Sequence, residues 1–352
     1  MNHKLSPETQ AALLLTAPLM AGQTAPCPDL LSPGEFNRLE ERLRGHGLGL
    51  ADMAGAAEAA VKACGEVVDG ARLERLLGRG LLLGQAVERW RARALWVAGR
   101  GDAAYPERLK ARLGALAPPI LYGCGEASLL GTGGLAVVGS RDVDGGLVEY
   151  TETVAGRAAA AGVTVVSGGA RGIDQAAMRG ALQEGGRVAG VLADSLERAA
   201  LRAEHRELLM DGRLVLVSPY DPGAGFNVGN AMQRNKFIYA LADAALVVNA
   251  DYEKGGTWAG AVEQLGRFGL VPVYVRAVGE TGKGLEALRR KGALPWPEPA
   301  TPEAFSAVMS AAVPVVHTKP AQEEFLFADM DQPTRVGEER PPWKPKGPPN
   351  KR

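Results

Sequence analysis

Cysteine is scarce in this chain. Cys27, Cys64 and Cys124 are the only three in 352 residues, odd in number and without a C-x-x-C pair. No disulfide framework is expected, and reduced thiols in a cytoplasmic protein are the simple reading. The four histidines show no ligand spacing, so no metal is assigned. Aromatic residues make up only 5%, against 46 glycines, which favours an α/β protein packed with Ala, Val, Leu and Gly over a β-sandwich. Net charge is absent too: 40 Lys and Arg balance 40 Asp and Glu, so polyanion binding has to come from local clustering. No window approaches the roughly 18 apolar residues of a spanning helix, and the first residues lack a basic stretch leading into an apolar one. Neither a membrane partner nor a signal peptide is expected.

Catalytic signatures are missing as well. The first strand of the central region runs into Gly139-Ser140-Arg141-Asp142-Val143-Asp144, not the G-x-G-x-x-G of a dinucleotide site, and there is no P-loop. No nucleophile, base and orienter stand in a recognisable pattern, and no paired carboxylates are marked. The expectation is a protein that is not an enzyme, with no catalytic residues and no cofactor.

What is present concentrates in residues 135–177, LAVVGSRDVDGGLVEYTETVAGRAAAAGVTVVSGGARGIDQAA. Two buried-strand patterns, Leu135–Val138 and Val163–Val166, each enter a turn of small residues carrying one arginine. Strand, small-residue turn and helix aim backbone N–H groups and the positive end of a helix at an anion. An arginine in each turn adds a planar fork of donors suited to phosphate oxygens.

Residues 1–95 read as a small N-terminal domain of short helices, among them Pro33–Arg44 after Ser32, Ala71–Leu77 and Leu81–Arg93. Residues 96–134 read as a connector rich in Pro and Gly, with a short strand at Ile120-Leu121-Tyr122. Over 135–295 apolar runs alternate with helical patterns, with further strands at Val188–Leu192, Leu214–Val217, Ala245–Val248 and Val271–Val275. The expected fold is α/β: a Rossmann-like, doubly wound, mainly parallel sheet beside the helical N-terminal domain. Residues 318–352 are Pro-rich and polar, basic at the end, and expected to be disordered.

In doubly wound sheets ligands sit beyond the carboxyl ends of the strands. The candidate phosphate-binding residues fall there: Gly139, Ser140 and Arg141 after the first strand; Ser167, Gly168, Gly169, Arg171 and Gly172 after the second. Arg234, Asn235 and Lys236 are expected early in the helix before the fifth strand, and Lys254, Gly255, Gly256 and Thr257 after that strand. Each has a blander alternative. The glycines serve turns and close helix packing, Asp174 favours a helix dipole, and Arg234 and Lys236 form the wet face of an apolar helix. Over 135–275 there are 13 Lys and Arg against 16 Asp and Glu, which disfavours non-specific adhesion to duplex DNA and leaves room for a focused basic groove. Phe226, Tyr220 and Trp258 are candidate stacking faces, with apolar packing as the alternative for each.

The ordered set VVGSR, VVSGGARGIDQAA, SPYDPGAGFN, MQRNKFIYALADAALVV and KGGTWAGA, preceded by GDAAYPERLKARLGALAPPILYGCG, resembles the DNA-processing protein A (DprA/Smf) family over about residues 95–275. That resemblance implies a Rossmann-like core that binds single-stranded DNA, forms a homodimer and helps load a RecA-type recombinase during natural transformation. It also implies that Arg141, Ser167 to Gly172 and Arg234 to Lys236 line the DNA pocket. The chain departs from the pattern at Met178, where a histidine is usual, in the approach FNVGNAMQ, and at Trp258. Two other readings stay open. One is a nucleotide-binding sensor or phosphoribohydrolase-like enzyme of the same superfamily: Gly255-Gly256-Thr257 with Glu263 resembles PGG-x-GT-x-x-E, but Gly260 stands where the glutamate belongs. The other is an interaction scaffold whose tail is a docking peptide.

Overall fold

The computed structural model describes residues 5–20, 29–55 and 57–311. Nine strands make one mixed sheet: β1 (Trp96–Gly99), β2 (Ile120–Gly125), β3 (Leu135–Val138), β4 (Val165–Ser167), β5 (Val188–Val191), β6 (Leu214–Ser218), β7 (Ala244–Val247), β8 (Val273–Val275) and β9 (Leu294–Pro295). Their order across the sheet is β1-β2-β6-β5-β4-β3-β7-β8-β9. The run from β6 to β9 is parallel, while β1 and β2 join antiparallel. Strands β3 to β8 are buried along their whole length, as continuous Val, Leu and Ala runs demand when helices cover both faces.

The sheet divides the core in two. One face carries the helices Gly145–Ala160, Ile173–Gln183, Leu196–Ala200, Ala203–Met210 and Pro302–Ser310; the other carries Glu107–Leu113, Val228–Leu241, Gly255–Glu263 and Lys283–Arg290. Side-chain oxygens cap several of these helices: Asp144 accepts from Leu147 N at 2.8 Å, Asn227 from Asn230 N at 3.0 Å and Thr301 from Ala304 N at 3.2 Å. The fold class is the α/β, mainly parallel arrangement expected.

The sequence leaves three features unread. The expected short strand at Ile120-Leu121-Tyr122 is present within β2, but β1 beside it was not expected; it forms because Gly123 admits the Trp96 ring and the Trp96 indole donates to Gly125 O at 2.9 Å. A two-residue β9 lies outside β8, so the apolar stretch around Val271–Val275 is not a free sheet edge. Several ends also move: the second strand of the central region starts at Val165, not Val163, and the sixth at Val273.

The N-terminal helices Pro7–Thr16, Pro33–Gly45, Leu50–Gly55, Ala57–Cys64, Gly70–Leu77 and Gly80–Arg91 pack against the β1–β2 end. Ser32 and Glu35 form a capping box, and Glu35 also pairs with Arg72 at 2.6 Å. Trp90 meets Tyr122 of β2 edge-on at 5.0 Å, so helices and sheet share one hydrophobic cluster. The tail read as disordered falls outside the described residues.

Candidate functional site

The chain winds β3, β4, β5, β6 in one direction, then returns to place β7 on the other side of β3. That reversal leaves the carboxyl ends of β3 and β4 beside each other. The two turns lie against one another there: Ile173 N donates to Ser140 O at 3.3 Å, and a Cβ on Gly172 would meet Ser140 O at 2.5 Å and Arg141 O at 2.7 Å. Gly172 also has φ +85°, and Gly169 +68°, so both need glycine's freedom. The helix Ile173–Gln183 then starts with its N-terminus facing the turn.

A groove of about 920 Å³ opens from this turn. It runs over the sheet between Ile173–Gln183 and the helices 196–210. Its cause lies in the neighbouring helix pair. A Cβ on Gly180 would stand 2.5 Å from Glu152 O, and one on Gly186 2.4 Å from the Ala159 Cβ. Ile173–Gln183 therefore sits almost backbone-to-backbone on Gly145–Ala160, and the space opens on its far side. Met178, Leu182, Leu192, Leu208 and Leu216 supply an apolar lining.

Arg141, Arg171 and Arg234 all line this groove. Arg141 and Arg171 are exposed and neither is in a salt bridge among the described residues, although the Arg141 charge is felt by Asp174. The Arg141 guanidinium lies 4.9 Å from the centroid of the Phe226 ring, which is 56% exposed. Arg234 is different. It is 4% exposed, and its Nη1 stands 3.8 Å from Oδ2 of Asp174, itself 5% exposed. That is an ion pair without a hydrogen bond, and Arg234 Nε and Nη1 have no hydrogen-bond partner among the described residues. A Cβ on Gly168 would fall 1.4 Å from Arg234 Nη1, so only glycine lets the guanidinium reach the turn. Burial pushes the Asp174 carboxyl up and the Arg234 guanidinium down, and their mutual attraction opposes both shifts.

The other candidates separate. Ser167 is fully buried and donates to Val137 O at 2.7 Å, a bond that ties β4 to β3. Gly139 is buried against Ile173, and Thr257 donates to Gly139 O at 2.8 Å. Asn235 donates to Gly256 O at 2.9 Å, fastening Val228–Leu241 to the start of Gly255–Glu263. Arg234, Asn235 and Lys236 lie in the middle of a helix that begins at Val228, not at its opening. Two residues on a helix are about 200° apart, so Lys236 points away from Arg234. Lys236 donates to Gln233 at 2.8 Å, stands over Phe237, and is not part of the groove lining. Lys254 and Gly255 are exposed at the start of their helix, and neither they nor Gly256 line the groove.

Sequence reasoning missed Asp174 as the partner of Arg234, because the pairing crosses from one helix to another with no local signature. It also left Phe226 among three aromatics. Trp258 is buried against Tyr252, and Tyr220 is half-buried with its hydroxyl donating to Asn230 O at 3.1 Å. Phe226 alone of the three stands exposed at the groove.

Comparison with known protein families matches residues 96–295 to DNA recombination-mediator protein A. The match covers more than half of the chain and the whole of the sheet just described. The chain belongs to the DNA recombination-mediator protein A family. Relatives described as putative DNA processing protein DprA, from two strains of Mycobacterium tuberculosis, are 35% identical over 188 residues, or 50% of this chain and 46% of each relative. The chain thus spans about half the length of the curated relatives it matches. Among solved structures, DNA processing protein A from Streptococcus pneumoniae superposes with a TM-score of 0.64 at 20% identity, over 87% of this chain and 98% of that one. That likeness is one of fold. A structure of the Helicobacter pylori protein, described for its single-stranded DNA binding mode, superposes at 0.48 with 23% identity, over 62% of this chain and 97% of that one.

Among the described residues no helix is long and apolar enough to cross a membrane.

Proposed function

We propose that this chain binds single-stranded DNA along the arginine-bearing turns at the carboxyl ends of β3 and β4, without catalysing a reaction on it. The observation that carries the reading is the convergence of Arg141, Arg171 and Arg234 on one groove, two of them exposed and outside any salt bridge among the described residues. Backbone N–H groups of the Gly168–Gly172 turn other than that of Ala170, which Asp174 accepts, and the start of Ile173–Gln183 add dipoles of the sign that a phosphate needs. Phe226 offers a π-face beside Arg141, which suits an unstacked base and not a paired one. Arg234 acts from behind the turn, as a fixed positive charge half-neutralised by Asp174.

Ser167, Asn235 and Thr257 hold the turns in place and touch no ligand on this reading. Lys236 and Lys254 lie outside the groove and contribute little. Family membership supports the finer steps: the chain delivers the bound strand to a RecA-type recombinase, works as a homodimer in the cytoplasm and needs no cofactor. Natural transformation is one setting for that chemistry.

The test is a binding comparison of a labelled oligo-dT with a duplex of equal length, alongside a titration with nucleoside monophosphates. Tighter binding of the single strand supports the reading. Preference for the duplex, or saturable binding of the mononucleotide alone, overturns it.

A further inference from the structure

The groove extends well beyond the two turns, and that extension has a chemistry of its own. Past Arg171 it is lined by Met178, Leu182, Leu192, Leu208 and Leu216, with Arg198 exposed on its rim. Among the described residues Arg198, like Arg171, has no acidic partner. An apolar trough with uncompensated arginines calls for a ligand carrying large apolar side chains and negative charge together. Such a segment lies in this chain, outside the described residues. Residues 323–331 read EEFLFADMD, with four acids, no base, and two of the chain's seven phenylalanines.

We propose that residues 323–331 dock in this groove of the same chain, with Phe325, Leu326, Phe327 and Met330 against the apolar lining and the acids toward Arg171 and Arg198. The geometry permits it. The last described helix, Pro302–Ser310, packs on Gly145–Ala160, which packs on Ile173–Gln183, the groove wall, all on one face of the sheet. Two helix-to-helix steps are about 8–10 Å each. The eleven residues 312–322 span at most about 40 Å when extended. A tethered segment also gains an effective concentration in the millimolar range, so a weak peptide contact is enough to fill the groove. Because Arg171 belongs to both the groove and the phosphate turn, the docked segment competes with a polyanion for it. This last consequence rests on the DNA reading above; the docking does not.

The test uses the full chain with and without Phe325→Ala/Phe327→Ala, and a fluorescent peptide of residues 321–332 followed by anisotropy. The peptide is expected to bind the double variant at least tenfold more tightly than the unsubstituted chain, whose own segment occupies the groove. Adding Arg198→Glu to the double variant is expected to weaken the peptide about tenfold. In hydrogen exchange, amides of 175–183 and 198–213 are expected to exchange faster in the double variant, with a difference independent of protein concentration. Equal peptide binding by both chains, binding by neither, or indifference to Arg198→Glu overturns the proposal. Protection that disappears on dilution assigns the segment to a second copy and overturns docking within the chain.

Discussion

At the scale of single residues the site rests on a contradiction that the fold resolves. Arg234 is an arginine buried behind the β4 turn, and among the described residues Asp174 is its ion-pair partner, with Asp194 acting on it more weakly. Removing either partner takes away the main charge compensating the other, at a cost of about 3–5 kcal/mol, although Asp174 keeps the backbone N–H groups of Ala170 and Gly139. Arg234→Ala is therefore expected to lower the melting temperature by about 4–7 °C in calorimetry. Arg234→Ala with Asp174→Ala is expected to recover part of that loss, and strictly additive losses would contradict the pairing. Gly168→Ala has a different signature. Its Cβ would collide with the guanidinium and with Asp174 Oδ2, so anion affinity and stability are expected to fall together. Arg171→Ala, in an exposed position, is expected to leave the melting temperature unchanged.

At the scale of elements, caps and cross-ties decide how rigidly the turns are held. Thr257 fastens its helix to the carbonyl of Gly139, and Thr257→Val is expected to cost about 1 kcal/mol while loosening the first turn, detectable as faster exchange of amides 139–142. The N-terminal helices supply a pH signature. The Arg72 guanidinium beside Glu35 holds its carboxyl below the usual range. An acid whose folded pKa lies below its unfolded value adds stability above the unfolded value, and that stability is lost as pH falls through the folded one. Glu35→Gln is thus expected to melt a few degrees lower at pH 7, with the gap closing below about pH 4. A gap that stays constant with pH would remove the ion pair from the account.

The same scale explains what was legible in advance. Strand β3 is readable to the residue, because LAVV is apolar throughout and is followed by Gly139. The two arginine-bearing turns were readable because the signal is local: small residues between a strand and a helix. Strand β1 was not, since WVAG is half-buried and gains its place from the close approach of Trp96 to Gly123. The two-residue β9 is too short for any pattern. What the polar candidates bond to is hidden in the sequence for a related reason. Ser167, Asn235 and Thr257 are polar residues near phosphate-like turns, and only tertiary contacts reveal that their hydrogen bonds are spent inside the protein. Lys236 was grouped with Arg234 by adjacency in sequence, where the helical period turns them apart.

At the scale of the whole molecule, the helical segment and the sheet are joined by packing and not by a linker alone. Trp90 against Tyr122 and the shared hydrophobic cluster predict one cooperative transition on heating, with Trp90→Ala lowering it as a unit. Two resolved calorimetric peaks would contradict that coupling. Electrostatics at this scale are neutral overall, with 40 charges of each sign, so attraction to a polyanion must be local and salt-sensitive. On the proposed function, exposed arginines at the β3 and β4 turns grip the phosphates of a single strand. Its most direct test is the slope of log affinity for oligo-dT against log salt, measured for the unsubstituted chain and for Arg171→Ala. The unsubstituted chain is expected to give a negative slope and the variant a slope shallower by about 0.7, with weaker binding across all base compositions. An identical slope and affinity in the two proteins would contradict it.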